Sequence, residues 1–293
     1  MPLLLLRLRR HPAAFAAALV LLALAGLALA APLIEAALGL DAGAVSLLER
    51  FAGPSWPHPL GTDELGRDVL ARLLEGGRVS LFVGVTAALT AALLGAAVGL
   101  PAGYFGGGLD ALLMRLADGV IALPLLPLLI VLAGVSPEKL GLGGVDADAL
   151  GLARIVILVA LVGWTTAARL VRGATLATRR LDHIRAAEAL GAGPLRIMLV
   201  HILPNVSAPL LVAVTLSVGN VILLESTLSF LGLGIQPPLP SWGNMLTRAQ
   251  ELLWTAPMLA VWPGLMIFVT VMACNLLGDG LQDALDPRAI RHR

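Results

Sequence analysis

Long apolar runs separated by short polar islands fill this chain of 293 residues. The run from His11 to Ile34 carries no charge, follows Arg7, Arg9 and Arg10, and is closed by Glu35. About 20 helical residues cross a hydrocarbon core, so this run predicts a first span. Ala28-Leu29-Ala30 gives a competing reading, a cleaved signal peptide, but the apolar core is longer than such peptides carry. Residues 35 to 78 are the first long polar segment. Its Pro-rich start predicts a loop, after which Thr62 or Asp63 caps an amphipathic helix. Val69, Leu70, Leu73 and Leu74 would face one side of it, and Arg67, Asp68, Arg72 and Glu75 the other. Alone, that helix reads as lying on a membrane surface.

Five more spans follow. Val79 to Phe105 is the second, ended by the glycines at 106 to 108. The third runs from about Leu109 to Val135, with Pro124 and Pro127 expected to kink it. Ser136 to Leu150 is a polar loop. Gly151 to Arg169 is a fourth span, short enough that Arg154 and Arg169 must snorkel. Val206 to Leu233 is the fifth and carries Asn220 and Glu225. Gly232 to Gly243 holds too much proline for a helix. Met245 to Trp254 predicts a short interfacial helix, and Pro257 to Leu277 the sixth span.

The polar island from Asp182 to Asn205 reads as ordered. Asp182 is a candidate cap for a short helix with Ile184, Ala187 and Leu190 on its apolar side. Gly191 falls where a left-handed C-cap belongs, and Pro194 suits the first turn of a second helix. Leu195, Met198 and Ile202 line one side of that helix, which Pro204 is expected to stop. The two helices predict a compact knob outside the bilayer.

Composition sharpens the class. With 58% hydrophobic residues, 13% charged and a mean hydropathy of +0.91, the chain lies far from the roughly 25% charge of soluble domains. It is an all-α integral membrane protein. A net charge of +1 and no basic run interleaved with aromatics give no sign of nucleic-acid binding. Cys274, the one cysteine, excludes an internal disulfide, and the five histidines show no metal-ligand spacing. Lys139, the one lysine, precedes Leu140, so no Gly-Lys-Ser/Thr phosphate loop exists. Neither catalytic nor cofactor-binding residues are expected, and ATP hydrolysis would fall to another polypeptide.

Six spans place both termini on one side. Thirteen of the 20 Lys and Arg lie on that side: Arg7, Arg9, Arg10, Arg115, Arg288, Arg291, Arg293 and the six from Arg169 to Arg196 around the knob. The positive-inside rule makes that side cytoplasmic.

Ala186-Ala187, Gly191 and Leu203-Pro204, in register, resemble the cytoplasmic signature loop of ABC importer permeases. Arg185 stands where that pattern has Glu, and His201 where it has Ile. Leu60-Gly61-Thr62-Asp63-Glu64-Leu65-Gly66-Arg67-Asp68, Leu228 to Gly234, Pro237 to Gly243, and Asn275 to Leu281 leading into Leu285-Asp286-Pro287-Arg288 are similar to phrases of the peptide and nickel permeases. The resemblance spans most of residues 58 to 288, leaving 1–57 as an N-terminal end with the first span and an external loop, and 289–293 as a tail. It implies a type I importer permease fold with cytoplasmic coupling helices in the cell inner membrane. It further implies a second permease subunit, two ATP-binding subunits that hold ATP and Mg, and an extracytoplasmic solute-binding protein. The transported solute would be a short peptide, with nickel or glutathione as alternatives.

By the same resemblance, Arg185, Ala186, Ala187, Glu188, Leu190, Gly191, Leu203 and Pro204 would couple to the ATP-binding subunit. Glu188, one turn after Arg185, is placed to pair with it. Asn220, Glu225 and Ser229 are candidates for the translocation path. Their rival role is helix packing, with Glu225 hydrogen-bonded to Asn220, Ser226 or Thr227. An ion-coupled secondary transporter would show internal repeats and paired midplane charges, and a membrane hydrolase would need a nucleophile and base. Neither pattern is present in the sequence.

Overall fold

The computed structural model describes residues 11–133 and 147–285. Arg7, Arg9 and Arg10, Lys139 with most of its polar loop, and the tail from Asp286 lie outside them. The described chain is almost wholly helical. Its elements are α1 (Pro12–Leu38), α2 (Val69–Phe105), α3 (Gly107–Ala122), α4 (Leu125–Ala133), α5 (Ala147–Thr178), α6 (Asp182–Ala189), α7 (Pro194–Arg196), α8 (Leu203–Phe230), α9 (Ala249–Leu252) and α10 (Met258–Leu285). Among the described residues, five helices are long and apolar enough to cross a membrane: α1, α2, α5, α10 and the run Pro194–Phe230 that joins α7 to α8.

Several boundaries differ from the sequence reading, each for a local reason. The helix expected at Thr62 or Asp63 starts at Val69 and continues unbroken into the second span. Asp68 is its cap, with Oδ1 accepting the Ala71 amide at 2.8 Å. Thr62 and Asp63 are occupied inside the preceding loop, where Asp63 Oδ1 takes the amides of Leu65 and Arg67. Arg72 does not face water as the amphipathic pattern implied; it is buried against Asp63.

Pro124 does more than kink the third span. It separates α3 from α4, because its ring excludes the helical continuation of Leu123. The fourth span extends to Thr178, and Arg169 reaches Asp118 on α3 instead of snorkelling. Pro204 does not stop its helix. A π turn over Ile197–Ile202 carries α7 into α8, the Leu203 amide reaching Met198 O, and this wider register makes room for the proline ring. Met245 to Trp254 divides into a 3₁₀ turn at Asn244–Leu246 and the single-turn α9. The last helix runs past Gly278 and Gly280 to Leu285.

Packing follows the logic of a lipid-facing bundle. α1 buries Ala14, Ala17, Ala28 and Ala31 while Leu22, Leu29 and Leu33 point outward. Leucine gains nothing by leaving hydrocarbon, so small residues that let backbones approach define the contacts. The largest seam joins α2 and α5. Ala91, Gly95, Gly99 and Gly103 meet Gly163, Ala167, Val171 and Thr175 in ascending order, so these two helices run parallel. A Cβ on Gly99 would stand 2.5 Å from Ala168 O, and one on Gly103 2.7 Å from Thr175 Cβ.

Parallel α2 and α5 require the segment between them to return across the bundle. It does so. α3 starts beside the end of α2, and Leu129 on α4 packs at the level of Val79, Val83 and Ile155 near the opposite end.

Candidate functional site

The knob forms at the end of α2 and α5. Ile184 from α6 and Ile197, Met198 and Ile202 from the second helical segment are buried against Leu100, Tyr104 and Val171. Tyr104 donates to Glu188 Oε1 at 3.3 Å, and Arg179 lies 5.2 Å from the Tyr104 ring centre. The expected Arg185–Glu188 pair is therefore replaced: Glu188 turns to the end of α2, and Arg185 is exposed.

Gly191 has φ +83°. Its amide reaches Glu188 O and the Ala192 amide reaches Ala187 O, each at 3.0 Å, the two bonds of a Schellman cap. Asp182 is in the first turn of α6; Leu181 holds the cap position without a side-chain bond. Leu190 and Leu195, expected on the packed side, are instead 89% and 66% exposed. Leu190 is the C-cap residue at the very end of α6, and Leu195 is exposed two residues before buried Ile197. Ala186, Gly191 and Pro204 are also exposed, and Ala187 and Leu203 are half-buried. The predicted coupling residues thus lie on one helical segment whose exposed side mixes Leu190 and Leu195 with Asp182, Arg185, Glu188 and Arg196.

The path candidates do not share a face. Asn220 is exposed, whereas Glu225 and Ser229 are buried and bonded to each other. Glu225, at 0% exposure, takes hydroxyls from three serines on three segments. Ser229 on α8 donates to Oε1 at 2.6 Å, Ser241 in the following loop to Oε1 at 3.0 Å, and Ser80 on α2 to Oε2 at 3.4 Å. Each serine also accepts a loop amide: Ser229 from Ile235, Ser241 from Asn244, and Ser80 from Trp242. One carboxyl therefore organises residues 235–244 through three hydroxyl relays. None of the three expected partners, Asn220, Ser226 and Thr227, is among these hydroxyls.

Trp242 completes this anchor. Its ring lies on Gly77, the Ser241–Trp242 backbone lies on Gly76, and its Nε1 donates to Leu73 O at 3.0 Å. Ser80, Ser241, Trp242 and Tyr104 escaped the sequence reading because none is costly or unusual where it stands. The four-residue spacing of Ala91, Gly95, Gly99 and Gly103 was a readable signal for the α2–α5 seam. Among the described residues no group of three or more His, Cys, Asp or Glu is arranged to hold a metal.

Comparison with known proteins matches residues 69–291 to the family described as binding-protein-dependent transport system inner membrane component. The glutathione transport system permease protein of Pectobacterium atrosepticum is 41% identical over 236 residues, 80% of this chain and 74% of that protein. A di/tripeptide transport system permease protein of Pseudomonas aeruginosa is 43% identical over 241 residues, 80% and 76% of the two chains. The dipeptide transport system permease protein of Haemophilus influenzae is 39% identical over 238 residues, 81% and 77%.

Proposed function

The chain belongs to the family of binding-protein-dependent transport system inner membrane components, and from that premise we propose that it is a membrane-spanning subunit of an ATP-driven importer of short peptides. The observation that carries the reading is identity of about 40% to peptide and glutathione permeases across four fifths of the chain. Glutathione, itself a small peptide, is the second reading, favoured by the relative at 41%.

In this reading α3 and α4 together form one broken crossing, giving six spans with both termini cytoplasmic. The return of the chain between parallel α2 and α5 supports that count. The Arg and Lys bias supports the orientation. A second permease subunit completes the pathway, and ATP-binding subunits dock on the knob at 182–204. Exposed Leu190 and Leu195 offer them an apolar surface, and the Tyr104–Glu188 bond links that surface to α2.

Closure of the ATP-binding subunits would pull the two knobs together. The Schellman cap keeps α6 and α7 at a fixed angle, and the continuous α7–α8 run passes the displacement into a span. Access would then alternate between the two ends. Glu225 serves as the anchor of the outer loop in this scheme, not as a solute ligand.

The test is uptake by vesicles holding the complete importer. Di- or tripeptide should accumulate only with ATP inside and binding protein outside. Uptake driven by an ion gradient without ATP would overturn the reading, as would ATPase activity of this chain purified alone.

A further inference from the structure

At the end of the bundle opposite the knob, a cleft of about 420 Å³ opens between the 60–68 loop and the segment that follows α8. Its volume suits a small molecule. Ile235, Met245 and Leu252 supply apolar wall, and five charged residues line it: Asp63, Glu64, Arg67, Arg72 and Arg248.

These charges do not balance internally. Asp63 is committed, its Oδ1 to two backbone amides and its Oδ2 to Arg67 Nε at 2.7 Å, with Arg72 Nε at 3.5 Å. Glu64 stands 3.8 Å from Arg67, a looser pair. Arg72 is 5% exposed, yet its Nη1 has no hydrogen-bond partner. Arg248, on the other wall, is exposed and makes no ion pair among the described residues. Among the described residues, one buried guanidinium nitrogen thus lacks an acceptor and one exposed guanidinium lacks an ion-pair partner. A buried donor left unmatched is costly, and the fork of a guanidinium is met best by the two oxygens of a carboxylate.

We propose that this cleft binds the terminal carboxylate of a short peptide between Arg72 and Arg248, with Glu64 facing the ammonium end. The assignment rests on the peptide-importer reading and adds a solute-holding vestibule to it, upstream of the path between the spans. The rigid 60–68 loop keeps Arg72 in place. Gly66, at φ +72°, leaves no space for a Cβ against Ser46 O, and Asp63 fastens both flanking amides.

The experiment uses the permease with its partner permease and ATP-binding subunits in nanodiscs, without binding protein. Alanyl-alanine and alanyl-alanine amide are titrated and binding is read by calorimetry or saturation-transfer NMR. The free acid should bind, and the amide about tenfold more weakly or worse, as expected when a charge-assisted pair is lost. Exposed Arg248→Gln should weaken the free acid by about tenfold as well and leave the amide little changed. Arg72→Lys, which keeps the charge and removes the fork, should weaken it too if that variant folds. Equal binding of acid and amide, no binding of either, or an unaffected Arg248→Gln variant would overturn the assignment. ATP-driven uptake by the complete system separates the two ideas. Normal uptake without carboxylate discrimination removes the vestibule alone, whereas absent ATP dependence removes the importer reading beneath it.

Discussion

The Ser241 hydroxyl donates to Glu225 Oε1 at 3.0 Å and accepts the Asn244 amide at 3.1 Å. A loop residue is thereby fixed by a carboxyl on the helix before it, with Ser229 and Ser80 repeating the arrangement from α8 and α2. All three of these donors to the Glu225 carboxyl are serine hydroxyls of this chain.

Glu225→Leu strands three buried hydroxyls, each at a cost of about 1–3 kcal/mol. Glu225→Gln retains an acceptor oxygen and should cost much less. Thermal unfolding of the detergent-solubilised complex, with protease cleavage in 232–247, should rank Leu far below Gln. If Glu225→Gln assembles like the parent yet loses uptake, the carboxylate serves the solute and the anchor role is insufficient.

Gly191→Val should insert normally and couple poorly. A Cβ there meets nothing within 4 Å, so the penalty is purely the backbone at φ +83°. That penalty is about 1 kcal/mol for alanine and larger for a β-branched residue. Gly193, at φ −68°, tolerates alanine without strain. Equal membrane levels are confirmed first, followed by co-purification of the ATP-binding subunits and uptake. Parental behaviour of Gly191→Val would show that this turn is not the coupling element.

The α2–α5 seam gives a stability contrast. Gly99→Ala forces a methyl toward Ala168 O and should destabilise by about 1–3 kcal/mol. Gly119→Ala on α3 meets nothing within 4 Å and should be neutral or slightly stabilising. Melting temperatures of the two variants in the same detergent check this, and equal values would contradict the seam.

Orientation is tested with single cysteines in a Cys274→Ala background. Ala189→Cys, on α6, should react with an impermeant reagent only from the cytoplasmic side, and Gln250→Cys, on α9, only from outside. Labelling of both from one side would remove the proposed topology.

The helical membrane class, the approximate spans, the knob and its Gly191 cap were legible in the residue pattern. Each depends on hydropathy or on bonds within a few residues, and the cap closes entirely between Ala186 and Ala192. Matching phrases likewise pointed to the family. Tertiary structure alone decided which sides of those elements meet. Arg72 reads as solvent-facing from its helical position, yet the 60–68 loop folds over it and supplies Asp63. Glu225 has local candidates at Asn220 and Thr227, but two of its three partners come from other segments, Ser80 lying 145 residues away. Pro204 predicts a helix end until the π turn before it relieves the clash. Short-range rules count neighbours at three and four residues, whereas these contacts exist only once separate segments have packed.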